Sequence, residues 1–149
     1  GKWETHSPIR TFTTYPMNDE LQLLAAHTCT PLVTVPIKRI TSNEPKVVGD
    51  TIAELGNRNR PLDMLVYTKE GDNYLLITNS SRGVMKLAMD AMPGQEKLTE
   101  RISGVGGVPA DTIDGFSGAL QLEPWGEKEV VVLRKNAEGT HDLTTLPLP

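Results

Sequence analysis

A single cysteine, Cys29, stands among the 149 residues, so no intrachain disulfide and no multi-cysteine zinc site can form. Beside a strand end, Cys29 is expected to be a small buried hydrophobe. Histidine is nearly as scarce. His6, His27 and His141 are too far apart in sequence to give the short spacing of a metal site. Basic charge is not in excess either: the formal net charge of −4 offers no long-range attraction for phosphates, which argues against nucleic acid as a partner. No apolar run approaches the length of a membrane span. The polar start Gly1-Lys2-Trp3-Glu4 carries no signal-peptide pattern, but a piece of a longer protein would read the same way, so the compartment stays open.

What remains is an ordinary globular composition, 38% hydrophobic and 23% charged, on a length that suits one domain. Its strongest pattern is a triple recurrence. Pro8-Ile9-Arg10-Thr11-Phe12, Pro61-Leu62-Asp63-Met64-Leu65-Val66 and Gly118-Ala119-Leu120-Gln121-Leu122 each open a unit that continues through a polar turn, a strong apolar strand, a loop and a third strand. The starts are 53 and 57 residues apart, a spacing typical of propeller blades or solenoid units. Three units follow, about 7–56, 57–115 and 116–149, within one β domain.

Ile9–Tyr15 is expected to pair with Leu21–His27, and Leu62–Thr68 with Tyr74–Asn79, across turns rich in Asn, Asp and Gly that tolerate positive φ. Leu75-Leu76-Ile77 and Val130-Val131-Val132-Leu133 are continuous apolar runs, the signature of strands buried on both faces. Lys86 and Lys128 should be exposed. The linkers Lys38–Arg60 and Asp90–Ser117 share the fragments Asp50-Thr51-Ile52 and Asp111-Thr112-Ile113. A fourth strand is expected in each linker, at Lys46–Val48 or Thr51–Leu55 in the first. Gln95–Ile102 has the propensity for one or two helical turns, and Gly104-Val105-Gly106-Gly107 reads as a flexible stretch.

The second unit resembles a blade of the NHL/YVTN type of β-propeller. It has an opening proline, a turn glycine, an apolar strand led by Tyr74 and ended by Asn79, then Gly83-Val84-Met85-Lys86-Leu87. The other two units fit more loosely. The resemblance implies an all-β fold of three antiparallel blade-like repeats. Since propellers close with about 4–8 blades, these would be half of a six-bladed ring closed by a second copy, or a fragment of a longer propeller. A β-prism-like trefoil and a two-sheet sandwich are the rival architectures. The implied partner is a second copy, as a homo-oligomeric dimer, or the remainder of a longer chain. The resemblance leans towards an extracytoplasmic location.

Aligning the units places His27, Asn79 and Arg134 at the end of the second strand. In a propeller this level lies on one rim with Arg58, Asn59, Arg60, Ser80, Ser81 and Arg82. The functional reading is a polar ligand-binding pocket of His27, Asn79, Arg134, Arg58, Arg60 and Arg82, whose guanidinium groups suit a carboxylate or phosphate. The competing reading is that the arginines are solvated loop charges and Asn79 closes a turn.

No catalytic residue is assigned. Gly115-Phe116-Ser117-Gly118-Ala119 misses the esterase elbow by one glycine, Gly104-Val105-Gly106-Gly107 lacks the Lys and Ser/Thr of a phosphate loop, and Asn79-Ser80-Ser81 matches the glycosylation sequon by chance. No cofactor is expected. The resemblance admits calcium, which regucalcin-like lactonases hold in the channel. Asp63, Asn79 and Glu4 are the donors here, fewer than the about 6–8 oxygens calcium takes. Trp3 and Trp125 are expected to cover a core or edge, with docking on a neighbouring subunit as a second reading for Trp3. The leading expectation is therefore a non-catalytic propeller-like binding or interaction module. The alternatives are a calcium-dependent lactonase or esterase acting at the channel mouth, and a structural segment of a larger extracytoplasmic protein.

Overall fold

The computed structural model describes residues 7–29 and 31–149, so Trp3, Glu4 and His6 lie outside the described residues. The described residues form three antiparallel sheets, and none of these closes on itself. The first is ordered β1 (Ile9–Met17), β2 (Glu20–His27), β3 (Pro31–Pro36), β4 (Asp50–Leu55) and β8 (Val105–Gly107). The second holds β5 (Pro61–Lys69), β6 (Asp72–Asn79), β7 (Val84–Ala88) and β9 (Asp111–Ile113), and the third β10 (Ala119–Trp125), β11 (Glu129–Lys135) and β12 (His141–Pro147). Among the described residues there is one short helix, α1 (Ile37–Thr41), with no buried residue; it leaves β3 at Pro36 and is tied down by Lys38 on Glu20 and by Arg39 on Glu44.

The hairpin turns follow from their residues. Asn18 and Asp19 take φ of 50° and 60°, and Glu70 and Gly71 take 55° and 94°. Two consecutive positive values match the right-handed twist of the flanking strands and make a tight two-residue reversal. At the far end of each hairpin the same irregularity recurs. Ile9 pairs with His27 and then Thr11 with Ala26; Pro61 with Asn79, then Asp63 with Thr78; Ala119 with Arg134, then Gln121 with Leu133. One residue of the first strand (Arg10, Leu62 or Leu120) bulges out each time. Pairing puts Pro61 level with Ile9 and Ala119, so the proline alignment of Pro8 and Gly118 slips by one residue.

The sheets stack in chain order, with the first strands β1, β5 and β10 in successive contact. Two cores result, and the second sheet is shared between them. Met64, Leu75, Ile77, Met85 and Leu87 join Leu24, Ala26, Leu32 and Leu55 of the first sheet. Leu65, Tyr67, Leu76 and Val84 join Leu122, Val130 and Val132 of the third. Alternate residues of β6 therefore face opposite cores, and Leu75, Leu76, Ile77 and Thr78 are all fully buried.

The Val130–Leu133 run differs from its expectation. Val130 and Val132 are buried while Val131 and Leu133 are half-buried, because only one sheet covers β11. The fragments at Asp50 and Asp111 begin the fourth strands β4 and β9, whereas Lys46–Val48 is not a strand. Gln95–Ile102 forms no helix; the Leu98 amide donates instead to the Thr51 carbonyl. Gly104–Gly107 is no loose stretch either, since its last three residues are β8 and pair with β4.

Candidate functional site

His27, Asn79 and Arg134 occupy the same register position in the three sheets, each opposite the residue before a bulge. Around Asn79 the loops 56–60 and 80–83 close into a bonded network. Asn59, buried between them, donates from Nδ2 to Asn79 Oδ1 at 2.8 Å, and Asn79 Nδ2 donates to the carbonyls of Ile77 and Gly83. Ser81 donates its backbone amide to Asn59 Oδ1 and its hydroxyl to the Arg58 carbonyl. Ser80 and Arg60 exchange two bonds, one through the Ser80 hydroxyl. The Cys29 amide donates to the Asn59 carbonyl, bringing the β2–β3 turn onto the same loop.

Nearly every polar group of the two asparagines is thus used inside the protein, as burial requires. His27 is committed as well: its Nδ1 lies 3.0 Å from the Ser7 carbonyl, which can only accept, so Nδ1 carries the proton. Arg82 is exposed but donates Nη2 to the Asn57 carbonyl at 3.0 Å. Arg58 and Arg60 are exposed, and the bonds they make to Ser81 and Ser80 come from their backbone. Arg134 is half-buried in β11 and pairs with Asp142 across the ladder. The loops holding Arg58, Arg60 and Arg82 therefore meet at one place, with asparagine as the staple beneath them. Replacing Asn79 with Ala should destabilise the chain by about 1–3 kcal/mol, since Asn59 would be left buried without its acceptor. Thermal melting of the variant checks this.

Asp63, the candidate calcium donor, is committed within the fold. Its Oδ2 accepts the Leu122 amide of the third sheet at 2.8 Å, and its Oδ1 accepts the Met64 amide. Thr78 adds a second bond across the same pair of sheets, to the Leu120 carbonyl. Asp63 acts as a clamp between β5 and β10. Among the described residues, no group of three His, Cys, Asp or Glu side chains converges as a metal site. Cys29 departs from its expected burial. It is exposed, at φ 63° in the β2–β3 turn, because a turn position and not a strand position holds it.

The opposite end carries a feature with no counterpart in the sequence reading. A cleft of about 950 Å³ opens between the β5–β6 and β10–β11 hairpins, lined by Tyr67, Lys69, Glu70, Pro124, Lys128 and Leu148 among others. Residues 148–149 lie along it. The Leu148 amide donates to the Lys128 carbonyl, Lys69 donates to the Leu148 carbonyl, and both Tyr67 and Lys86 donate to the Pro149 carbonyl. Lys86 also stands 3.9 Å above the Tyr74 ring, a cation–π contact, so it is half-buried and not the exposed lysine expected. Lys128 is exposed. Removing residues 148–149 should cost about 2–4 kcal/mol, because it deletes a buried leucine and leaves Tyr67 without its acceptor. Urea unfolding of the shortened chain reads this directly.

Burial, with a smaller contribution from Tyr74, pushes the Tyr67 phenol up to about 12 from its usual 10.0. A folded value above the unfolded one means the native state keeps the proton longer. Stability from this group is therefore complete below pH 10 and is lost between pH 10 and about 12. Ultraviolet titration should show one tyrosine ionising last, and Tyr67→Phe should remove that step.

Among the described residues, no helix is long and apolar enough to cross a membrane. Comparison with known protein families, curated proteins and solved structures finds no match.

Proposed function

We propose that the chain is a non-catalytic, propeller-like binding module. It would use a rigid stack of blade-like sheets to present one rim of loops to an anionic ligand. The observation that carries this reading is the convergence of the 56–60 and 80–83 loops on a buried asparagine pair, which leaves Arg58 and Arg60 exposed above a fixed base. Two guanidinium groups carried on one anchored loop suit carboxylate or phosphate oxygens. Arg134 and His27 hold the positions equivalent to Asn79 in the neighbouring sheets and would extend the rim on either side. The recurring bulge, the stacking order and the shared second sheet support the propeller-like architecture.

The calcium-dependent hydrolase is the weaker reading, because the Asp63 carboxylate and Asn79 carbonyl already serve amides within the protein. Titration of isotope-labelled protein with inorganic phosphate tests the rim. Shifts should concentrate at residues 57–60 and 80–82 and disappear in an Arg58→Ala/Arg60→Ala variant. Shifts elsewhere, or none, would contradict the reading. Calcium-dependent turnover of an aryl ester, abolished by Asp63→Asn, would favour the hydrolase.

A further inference from the structure

We infer that the outer face of the first sheet is a docking surface for the outer face of the third sheet of a second copy of this chain. The inference rests on the stacked-sheet reading above and extends it across copies. It starts from the bulges, which give the three first strands a common register.

In that register Phe12, Met64 and Leu122 are equivalent. Met64 and Leu122 each point into the core shared with the preceding sheet, and are 7% and 6% exposed. Phe12 has no preceding sheet among the described residues and is 63% exposed. Around it the same face of the first sheet carries Leu21, Leu23, Val33 and Val35, all at least partly exposed.

The third sheet shows the complementary half. Tyr15, Tyr67 and Trp125 are equivalent in register, each three residues before the turn or nearer, on the face offered to the following sheet. Tyr15 packs on the first core and Tyr67 is buried in the second, whereas Trp125 is 62% exposed. Leu143, in the position of the buried Val84, is 73% exposed. Among the described residues, one end of the stack thus has no preceding sheet, and the other has no following one.

Charge and hydrogen bonding fit the same pairing. Glu123 and Glu129 are exposed on the third sheet's outer face, while Arg10 is exposed at the bulge of β1, the edge strand of the first sheet. Gln121 holds the position of Asp63, whose carboxylate accepts the Leu122 amide of the next sheet. Its side-chain carbonyl is equally able to accept the Phe12 amide of a partner. The two faces are complementary and not identical, so a single contact leaves one of each uncovered. Two copies related by a two-fold axis cover all four faces in a closed ring of six sheets.

The test uses Phe12→Lys and Leu143→Glu, both at exposed positions where the chain's own fold should survive, with far-ultraviolet circular dichroism as the check. Sedimentation velocity at micromolar concentration should give each variant alone the mass of one chain, since each carries a charge into both interfaces. Mixed in equal amounts, they should recover the dimer, because one interface then sets the two introduced, opposite charges against each other and the other is wild type. A dimer untouched by Leu143→Glu would mean that first sheets pair with each other, and would overturn the inference. So would a mixture that stays monomeric. If that failure occurs while phosphate still shifts residues 57–60, the docking inference falls and the rim reading stands.

Discussion

Ile77→Asp should destabilise the protein by about 4 kcal/mol or more, the largest effect expected of any single substitution in the second sheet. Ile77 is fully buried in the middle of β6, between Met64 and Met85 on the neighbouring strands. Its side chain enters the core shared with the first sheet, where Leu24, Leu32 and Leu55 leave it only apolar neighbours. A carboxylate there would have to lose its charge or pull the two sheets apart. Chemical denaturation should show a much lower midpoint or no cooperative transition. A midpoint within error of wild type would mean that the first and second sheets do not face each other.

Gly107→Ala should be comparably damaging, at about 3 kcal/mol or more, for a reason that involves no core side chain. Gly107 sits at φ 79° in β8, opposite Ala53. A Cβ there would lie 2.2 Å from the Ile52 carbonyl oxygen and 2.9 Å from the Ala53 Cα. Both are backbone atoms of a central strand and cannot swing aside. Relief requires β8 to lift off β4, breaking the bond from the Val108 amide to the Ile52 carbonyl. Hydrogen exchange should then accelerate at Ile52–Leu55, while β10–β12 keep their protection. Unchanged exchange along β4 would contradict the placement of β8.

These two sites also show what the sequence made legible. Ile77 lies in an uninterrupted apolar run, and the burial on both faces that such a run leads one to expect is realised there because the second sheet has a neighbour on each side. Asp50-Thr51-Ile52 and Asp111-Thr112-Ile113 mark the two fourth strands because each precedes a new unit. The glycines of β8 carry the opposite message. Their composition reads as a loop, and only the crowding against Ile52 and Ala53 explains why glycine is needed in a strand. The run at Val130 misleads for a related reason: apolar character cannot reveal that its sheet has a neighbour on one side only.

The loop network around Asn79 is legible in part. Asn79 stands out by its position at a strand end, but its partner Asn59 makes it a buried staple, and burial of that kind depends on two loops meeting. The clamp made by Asp63 and the tail held by Tyr67 and Lys86 have no local signal, since both join residues more than fifty positions apart. Lysine is seldom buried, which is why Lys86 reads as a surface residue; an aromatic ring beneath it and a carbonyl in front of it make the exception.

Stoichiometry bears most directly on whether these sheets belong to a closed ring. In the proposed ring, burial of Phe12, Trp125 and Leu143 would favour association, as apolar area is worth about 25 cal/mol per Å². Small-angle scattering at micromolar concentration reports both mass and shape from one sample. It should return twice the 16.3 kDa of the chain and a pair-distance distribution of a flat disc. A well-folded particle of 16.3 kDa that persists as concentration rises would contradict the ring.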